Sequence, residues 1–153
     1  MLKGFQELFN TIYEIESPWE VIDCAKVSGT SGPTIEVVVQ HGDKHNLSCP
    51  DCGHLVGPAH DTRRRRWRAA DWEWDRVFIT CQIPRIQCPV HGFRQLPVPW
   101  AETDQQITRS LERRLIDELS DRSVMSVAKQ LGLSWGVVHR VKARAVKRGF
   151  KRR

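Results

Sequence analysis

The spacing of apolar residues predicts a β-rich first part of the chain. Residues 2–12 carry apolar side chains at helical spacing, which predicts a short amphipathic helix that ends at Ser17-Pro18. Val21–Val27 and Thr34–Gln40 are rich in β-branched residues, and a cluster of Ser, Gly and Pro separates them. The two runs therefore predict a β-hairpin.

Further along the chain, the period of the pattern changes. Arg76–Ile83 is strand-like, and Pro84 is expected to limit that strand. Pro97-Val98-Pro99 predicts a stiff, extended linker, after which the apolar period changes from two to 3.6. We therefore predict three parts: residues 1–48 with the helix and hairpin, residues 49–100, and a helical domain with a basic tail over residues 101–153.

The last part predicts three helices. A capping-box pattern at 103–106 begins the first helix, whose leucines recur every four residues to about Ser120. Ser123 is positioned to cap a second helix, and Gly132 to end it in the left-handed conformation that glycine tolerates best. Ser134 caps a third helix. The spacing is typical of the bacterial helix-turn-helix, with a plain three-helix bundle as the alternative.

The distribution of charge along the chain supports a helix-turn-helix that binds nucleic acid in the helical part. The 153 residues carry a net charge of +6, distributed as −4 over residues 1–48, +3 over 49–100 and +7 over 101–153. Arg140 to Arg153 contains eight basic residues and no acid. This asymmetry predicts a polyanionic partner for the C-terminal part, although a solvated basic surface is the alternative.

The sequence also lacks the patterns of a membrane span and of a secretion signal. No run approaches the twenty apolar residues of a transmembrane helix, and the N-terminus lacks the apolar core of a signal peptide. We therefore expect a cytoplasmic, nucleoid-associated protein. In a reducing compartment, paired cysteines more often hold a metal than form disulfides.

Two short motifs predict a metal site. Residues 49–53 read CPDCG and residues 88–92 read CPVHG, so each motif places two ligands on a tight turn closed by glycine. Four nitrogen and sulfur ligands satisfy a structural Zn²⁺ ion and leave no open position for catalysis. The predicted ligands are Cys49, Cys52, Cys88 and His91.

Alternatives remain for the cysteines and histidines. A redox CxxC site or a disulfide pair would use the same cysteines, but a redox motif needs a βαβ context that is not seen near residue 49. His54 and His60 are rival fourth ligands without the motif spacing. Cys24 and Cys81 lie in strand-like runs and are expected to be small buried hydrophobes.

Together these elements predict an α+β fold. The N-terminal helix and hairpin would pack on a zinc-ribbon sheet, followed by an all-α helix-turn-helix domain.

The N-terminal part of a recognition helix meets base edges in the major groove, and later cations neutralise phosphates. The predicted outward-facing DNA contacts are Ser134, Trp135, Gly136, His139 and Arg140, and the predicted phosphate contacts are Lys142, Arg144, Lys147 and Arg148.

A run of arginines precedes the second metal motif. In an extended strand Arg64, Arg66 and Arg68 share one face, where they are positioned to follow a phosphate backbone. A solvated edge strand is the alternative. The following residues alternate carboxylates with Trp72 and Trp74, which predicts a solvated turn with both tryptophans packed inward.

The order of these motifs resembles a known family. CPDCG, then HDTRRRRWRAADW, then IPRIQCPVHGFRQLPVPWAE and a helix-turn-helix resemble, over about residues 49–148, the N-terminal region of the ISL-three family of bacterial insertion-sequence transposases. The resemblance implies that Cys49, Cys52, Cys88 and His91 hold zinc, although the family more usually has Cys at the last position. It also implies binding to the terminal inverted repeats of a mobile element.

In that family a ribonuclease-H-like domain with an acidic triad follows. This chain ends where that domain is expected to begin, so we expect it not to cut or join DNA by itself. The expected function is sequence-specific binding of double-stranded DNA. A transposase-derived regulator at a promoter and a zinc-ribbon module for protein interaction are the alternatives. The expected partners are DNA, a catalytic transposase chain or domain, and a second copy of this chain, but no membrane.

Overall fold

The computed structural model describes residues 2–30 and 32–151. Within them the chain forms four helices and seven strands, and the prediction of an α+β fold is confirmed. The elements are α1 (Leu2–Tyr13), β1 (Trp19–Gly29), β2 (Gly32–His41), β3 (Leu47–Ser48), β4 (Leu55–Gly57), β5 (Asp61–Trp72), β6 (Asp75–Cys88), β7 (Gly92–Gln95), α2 (Arg109–Asp121), α3 (Val124–Leu131) and α4 (Trp135–Lys151).

The chain divides into two compact units, one that ends at Arg109 and one that begins at Ser110. The first unit contains the sheet, and the second contains the helical segment. The linker predicted a domain boundary between residues 100 and 101. In the structure Pro97–Pro99 belongs to the first unit, which continues to Arg109.

A mixed sheet organises the first unit. Its strand order is β1-β2-β6-β5, with β7 also paired to β6. All pairings are antiparallel except β2 with β6, which runs parallel from Thr34↔Arg76 to Val39↔Cys81. The predicted hairpin is confirmed, but it extends the sheet edge to edge instead of packing on its face.

One face of the sheet carries the hydrophobic core. Alternate residues of β2 and β6 are fully buried there, as the period of two requires. Three tryptophans from distant segments meet on this face: Trp100 packs edge-on against both Trp19 and Trp67, with ring centroids 5.3 Å apart in each pair. Trp100, which follows the proline linker, is 0% exposed, so this packing holds the linker on the first unit.

Helix α1 covers the end of the same face. Phe9 and Tyr13 are buried one turn apart, with ring centroids 5.7 Å apart, and the Tyr13 hydroxyl donates to the Ala70 carbonyl at 3.1 Å. Phe5 and Leu8 remain exposed. The buried stripe of this helix is therefore narrower than its apolar pattern.

Two predicted element boundaries were wrong. β6 continues through Pro84 to Cys88, because Pro84 lies between the last residue paired with β2 and the first paired with β7, where no ladder N–H is needed. Helix α2 begins at Arg109 and not at the predicted capping box. The backbone of Arg68 in β5 instead accepts from Thr108 and donates to Gln106, which holds that segment extended.

Two side-chain predictions also failed. Trp74 is 96% exposed, because it occupies the tight turn between β5 and β6 beside Glu73, whose φ is 53°. Cys24 is exposed because β1 is the edge strand of the sheet. Cys81 is buried as predicted, and burial raises the pKa of its thiol to about 12.

The second unit has a small helical core. Ser123 caps α3 and accepts a hydrogen bond from the Ser126 N–H at 3.2 Å. Gly132 has φ 63° and ψ 35°, and its N–H reaches the Ala128 and Lys129 carbonyls. The buried apolar side chains are Leu111, Leu115, Val127, Ala128, Leu131, Val138 and Val141. Of the basic tail, Arg152 and Arg153 lie outside the described residues.

Candidate metal centre and nucleic-acid interface

Two turns at one end of the sheet bring four metal-binding side chains together. The first turn lies between β3 and β4, where the Cys49 N–H donates to the His54 carbonyl at 2.9 Å and the Gly53 N–H donates to the Cys49 carbonyl at 2.8 Å. The second turn joins β6 to β7, which pair at Cys88↔Gly92. Gly53 and Gly92 have φ of 73° and 72°, a conformation that favours glycine at both turns.

The donor atoms have the spacing of a tetrahedral site. Cys52 Sγ and Cys88 Sγ are 3.8 Å apart, and His91 Nδ1 is 3.7 Å from both Cys49 Sγ and Cys88 Sγ. Zn–S and Zn–N bonds in a tetrahedron place two sulfurs about 3.8 Å apart and sulfur and nitrogen about 3.6 Å apart. All four atoms lie within 4.8 Å of one another. The donor set and its geometry therefore fit a metal ion, and Cys₃His is compatible with zinc.

The surroundings favour a thiolate at this position. Backbone N–H groups of His91 and Val90 lower the pKa of the Cys88 thiol to about 6. Arg94, at the second turn, donates to Asp51 of the first turn at 2.6 Å and joins the two turns. The rival ligands do not belong to this cluster: His54 is exposed, and His60 packs against Phe93 with ring centroids 4.8 Å apart.

The three arginines of β5 that are predicted to follow a phosphate backbone differ in exposure and in pairing. Arg64 is exposed and has no ion pair among the described residues. Arg66 pairs with Glu36, and its guanidinium lies 3.6 Å from the centre of the Phe78 ring. Arg68 is only 6% exposed.

Arg68 forms an ion pair within the first unit. Its guanidinium donates to Asp71 at 2.7 Å, with both side chains largely buried. Arg65, on the opposite face of the strand, donates to the Gln105 carbonyl at 2.9 Å and lies 5.0 Å from the centre of the Trp67 ring. Of the three arginines predicted to follow a phosphate backbone, Arg64 alone combines exposure with an unpaired charge.

The side chains that the sequence predicts to contact DNA lie at the start of α4. Ser134 accepts a hydrogen bond from the Val137 N–H at 3.3 Å and so caps α4. Trp135 and His139 are exposed and stacked, with ring centroids 4.5 Å apart and planes 13° apart. Within the described residues, Arg140 makes no ion pair and no side-chain hydrogen bond.

The cations that follow in α4 fall into two groups. Lys142 and Lys147 are exposed and have no ion-pair partner in the part of the chain that the structure describes. Arg144 and Arg148 instead approach Glu112 of α2, with N···O distances of 3.6 Å and 3.3 Å. Arg144 and Arg148 therefore already have an anionic partner within the second unit.

Sequence reasoning missed Glu112. Its carboxylate is 5% exposed, in a position where α2 otherwise buries leucines. The signal was present, since Glu112 falls three residues before Leu115 and seven before Leu119, on the apolar stripe of the helix. A charged residue on such a stripe predicts a partner of opposite charge, which Arg144 provides.

Two helices joined by a short glycine-containing turn, the second with cations on its outer surface, are typical of helix-turn-helix DNA-binding domains. No helix in the described ranges has the length and apolar character needed to cross a bilayer.

Comparison with known proteins finds similarity to one family in this part of the chain. Residues 96–146 match a family model described as the helix-turn-helix domain of transposase family ISL3. The chain is also similar to the transposase for insertion sequence element IS1557 from two strains of Mycobacterium tuberculosis, CDC 1551 / Oshkosh and ATCC 25618 / H37Rv. These findings confirm the resemblance drawn from the motifs and indicate a DNA-binding region.

The extent of the similarity is limited. Each relative is 30% identical over 80 residues, which are 52% of this chain and 18% of the relative. The chain therefore spans less than a fifth of the length of the curated relatives it matches. No solved structure matches the chain.

Proposed function

We propose that this chain binds double-stranded DNA sequence-specifically, at the terminal inverted repeats of an insertion sequence, and leaves DNA cleavage and joining to a catalytic domain or chain. The observation that carries the proposal is the outer surface of α4. There, Arg140, Lys142 and Lys147 have no ion-pair partner among the described residues, and the first two fall in the part of the chain that matches a transposase helix-turn-helix domain.

The roles within α4 follow from position. Ser134 caps α4, and Trp135, Gly136, His139 and Arg140 occupy its first turns, which enter the major groove in helix-turn-helix proteins. Arg140 is the residue that we assign to a guanine, because arginine reads the O6 and N7 acceptors of that base with two hydrogen bonds. Lys142 and Lys147 contact phosphates.

The phosphate contacts proposed for the remaining arginines differ in strength. Arg148 is half-exposed, so it can contribute while bound to Glu112, whereas Arg144 contributes mainly to the helical core. In the first unit we retain Arg64 as a phosphate contact and assign Arg66 and Arg68 to the sheet. Zn²⁺ bound by Cys49, Cys52, Cys88 and His91 supplies structural stability and no chemistry.

The test is selection of bound duplexes at physiological salt, from a random 24-base-pair library and from fragments that carry the ends of insertion sequences. Enrichment of inverted repeats that flank mobile elements supports end recognition and fits a two-fold arrangement of two copies. Enrichment of promoter sequences makes the chain a regulator. With Arg140→Ala, specificity relaxes at one base step if Arg140 reads a base, whereas a uniform loss makes it a phosphate contact.

A protein-interaction module is the second candidate, because two large apolar side chains lie open on the first unit. Trp74 is 96% exposed at the β5–β6 turn, and Val90 is 80% exposed at the second metal turn. Exposed aromatic anchors are typical of protein interfaces. Nucleic-acid binding that is unchanged between low and high salt favours this candidate over DNA recognition.

A further inference from the structure

Gly136 lies in the first turn of α4, where the fold has no need for glycine. Its backbone is not in the left-handed region, unlike that of Gly132. A Cβ built at Gly136 meets only the Arg140 guanidinium, at 3.6 Å, which is an ordinary van der Waals distance. Alanine stabilises a helix relative to glycine, so this position carries a residue that its local structure disfavours.

The surroundings of Gly136 show what the missing side chain leaves open. The rings of Trp135 and His139 stack on the outer surface of α4, and the Arg140 guanidinium, one helical turn after Gly136, comes within 3.6 Å of a Cβ built at Gly136. The two rings contact each other, whereas Arg140 is held by no ion pair or side-chain hydrogen bond among the described residues. Gly136 therefore adds no side chain to a surface that carries the aromatic pair and the Arg140 guanidinium.

We propose that Gly136 is a specificity-determining residue, whose lack of a side chain sets how closely α4 approaches the base pairs. Glycine is the residue that permits close approach of a backbone to a ligand. With this spacing, the Arg140 guanidinium reaches a base edge. A methyl group at Gly136 holds the helix away and weakens that contact. This inference rests on the proposed DNA-binding function of α4.

The experiment compares Gly136→Ala with Gly149→Ala. Gly149 is in the same helix and is not in the left-handed region. Among the described residues, no atom beyond its chain neighbours and the helix backbone lies within 4 Å of a Cβ built there, which makes it a matched control. Thermal unfolding measures stability. Fluorescence anisotropy measures affinity for two probes: the 24-base-pair duplex selected by the wild-type chain, and the unselected random pool.

For Gly136→Ala we expect a Tm at or above that of the wild type and an affinity for the selected duplex that falls by about tenfold or more, the value of one bidentate base contact. Affinity for the random pool stays within about twofold, since phosphate contacts carry nonspecific binding. Gly149→Ala keeps wild-type affinity for both probes.

Three results overturn the inference. Wild-type affinity of Gly136→Ala for the selected duplex shows that a methyl group is accommodated. A lower Tm shows that the glycine serves the fold. An equal loss in Gly149→Ala traces the effect to helix rigidity. If the wild-type chain enriches no sequence at all, the proposed function itself fails before either variant is measured, and the inference fails with it.

Discussion

The paired arginines of β5 differ from the unpaired cations of α4. Arg65, Arg66 and Arg68 of β5 each bind an acceptor in the first unit. Arg140 and Lys147 of α4 bind no side-chain acceptor in the part of the chain that the structure describes. Most of the densest run of arginines in the sequence is therefore already bound within the first unit.

This difference predicts that contact with DNA depends on unpaired charge rather than on charge density. A guanidinium that is paired and partly desolvated has its hydrogen bonds occupied, and separating it from a buried carboxylate costs free energy. An exposed cation with no partner gives up only water and counterions when it meets a phosphate. Three predictions test this difference, starting with the unit that surrounds the paired arginines.

Replacing a metal ligand has the largest expected effect. Cys49→Ser removes one of four donors, so we expect the chain to lose its zinc and the Tm of the first unit to fall by about 10 °C or more. Zinc content is measured by atomic absorption and unfolding by tryptophan fluorescence. Cys24→Ser is the control, because Cys24 is exposed and outside the metal cluster. A folded Cys49→Ser variant with full zinc content contradicts the ligand assignment.

Removing a buried arginine ranks second. Arg68→Ala leaves the Asp71 carboxylate without its partner, and we expect a loss of about 3–5 kcal/mol in the free energy of unfolding. Arg64→Ala, on the same strand and face, is expected to change it by less than about 0.5 kcal/mol. Urea denaturation measures both. Equal losses in the two variants would show that β5 does not divide into paired and free arginines.

The smallest expected effect is on the salt dependence of DNA binding. Lys147→Ala removes a free cation, so the slope of log affinity against log salt should fall by about one. Arg66→Ala removes a cation that is paired with Glu36, and the slope should stay nearly constant. Anisotropy titrations of the random duplex pool between low and high salt give both slopes. A larger change for Arg66→Ala would reverse the comparison.

Features with short-range causes could be predicted from the sequence. The metal cluster follows from two motifs that each place a ligand pair on one tight turn, so only their meeting is long-range. Ser123 and Gly132 mark the two ends of α3, because caps act within one helical turn. Ser134 marks the start of α4 for the same reason.

Features with long-range causes could not be predicted in this way. The extension of β6 through Pro84 depends on where two other strands end, and the late start of α2 depends on hydrogen bonds to Arg68. Cys24 is exposed because its strand is at the sheet edge, which no local pattern reveals. The position of Glu112 on an apolar stripe indicates that it needs a cation, but its partners Arg144 and Arg148 lie in another helix and could not be identified from the local sequence.

The parallel pairing of β2 with β6 has a consequence for how the first unit folds. The β1–β2 and β5–β6 hairpins each join residues that are close in the chain, so they can close within microseconds. The parallel seam joins residue 34 to residue 76, and ordering the chain between them costs entropy before any contact is gained. The two hairpins are therefore expected to form early and independently, and their docking along this seam to limit the folding rate.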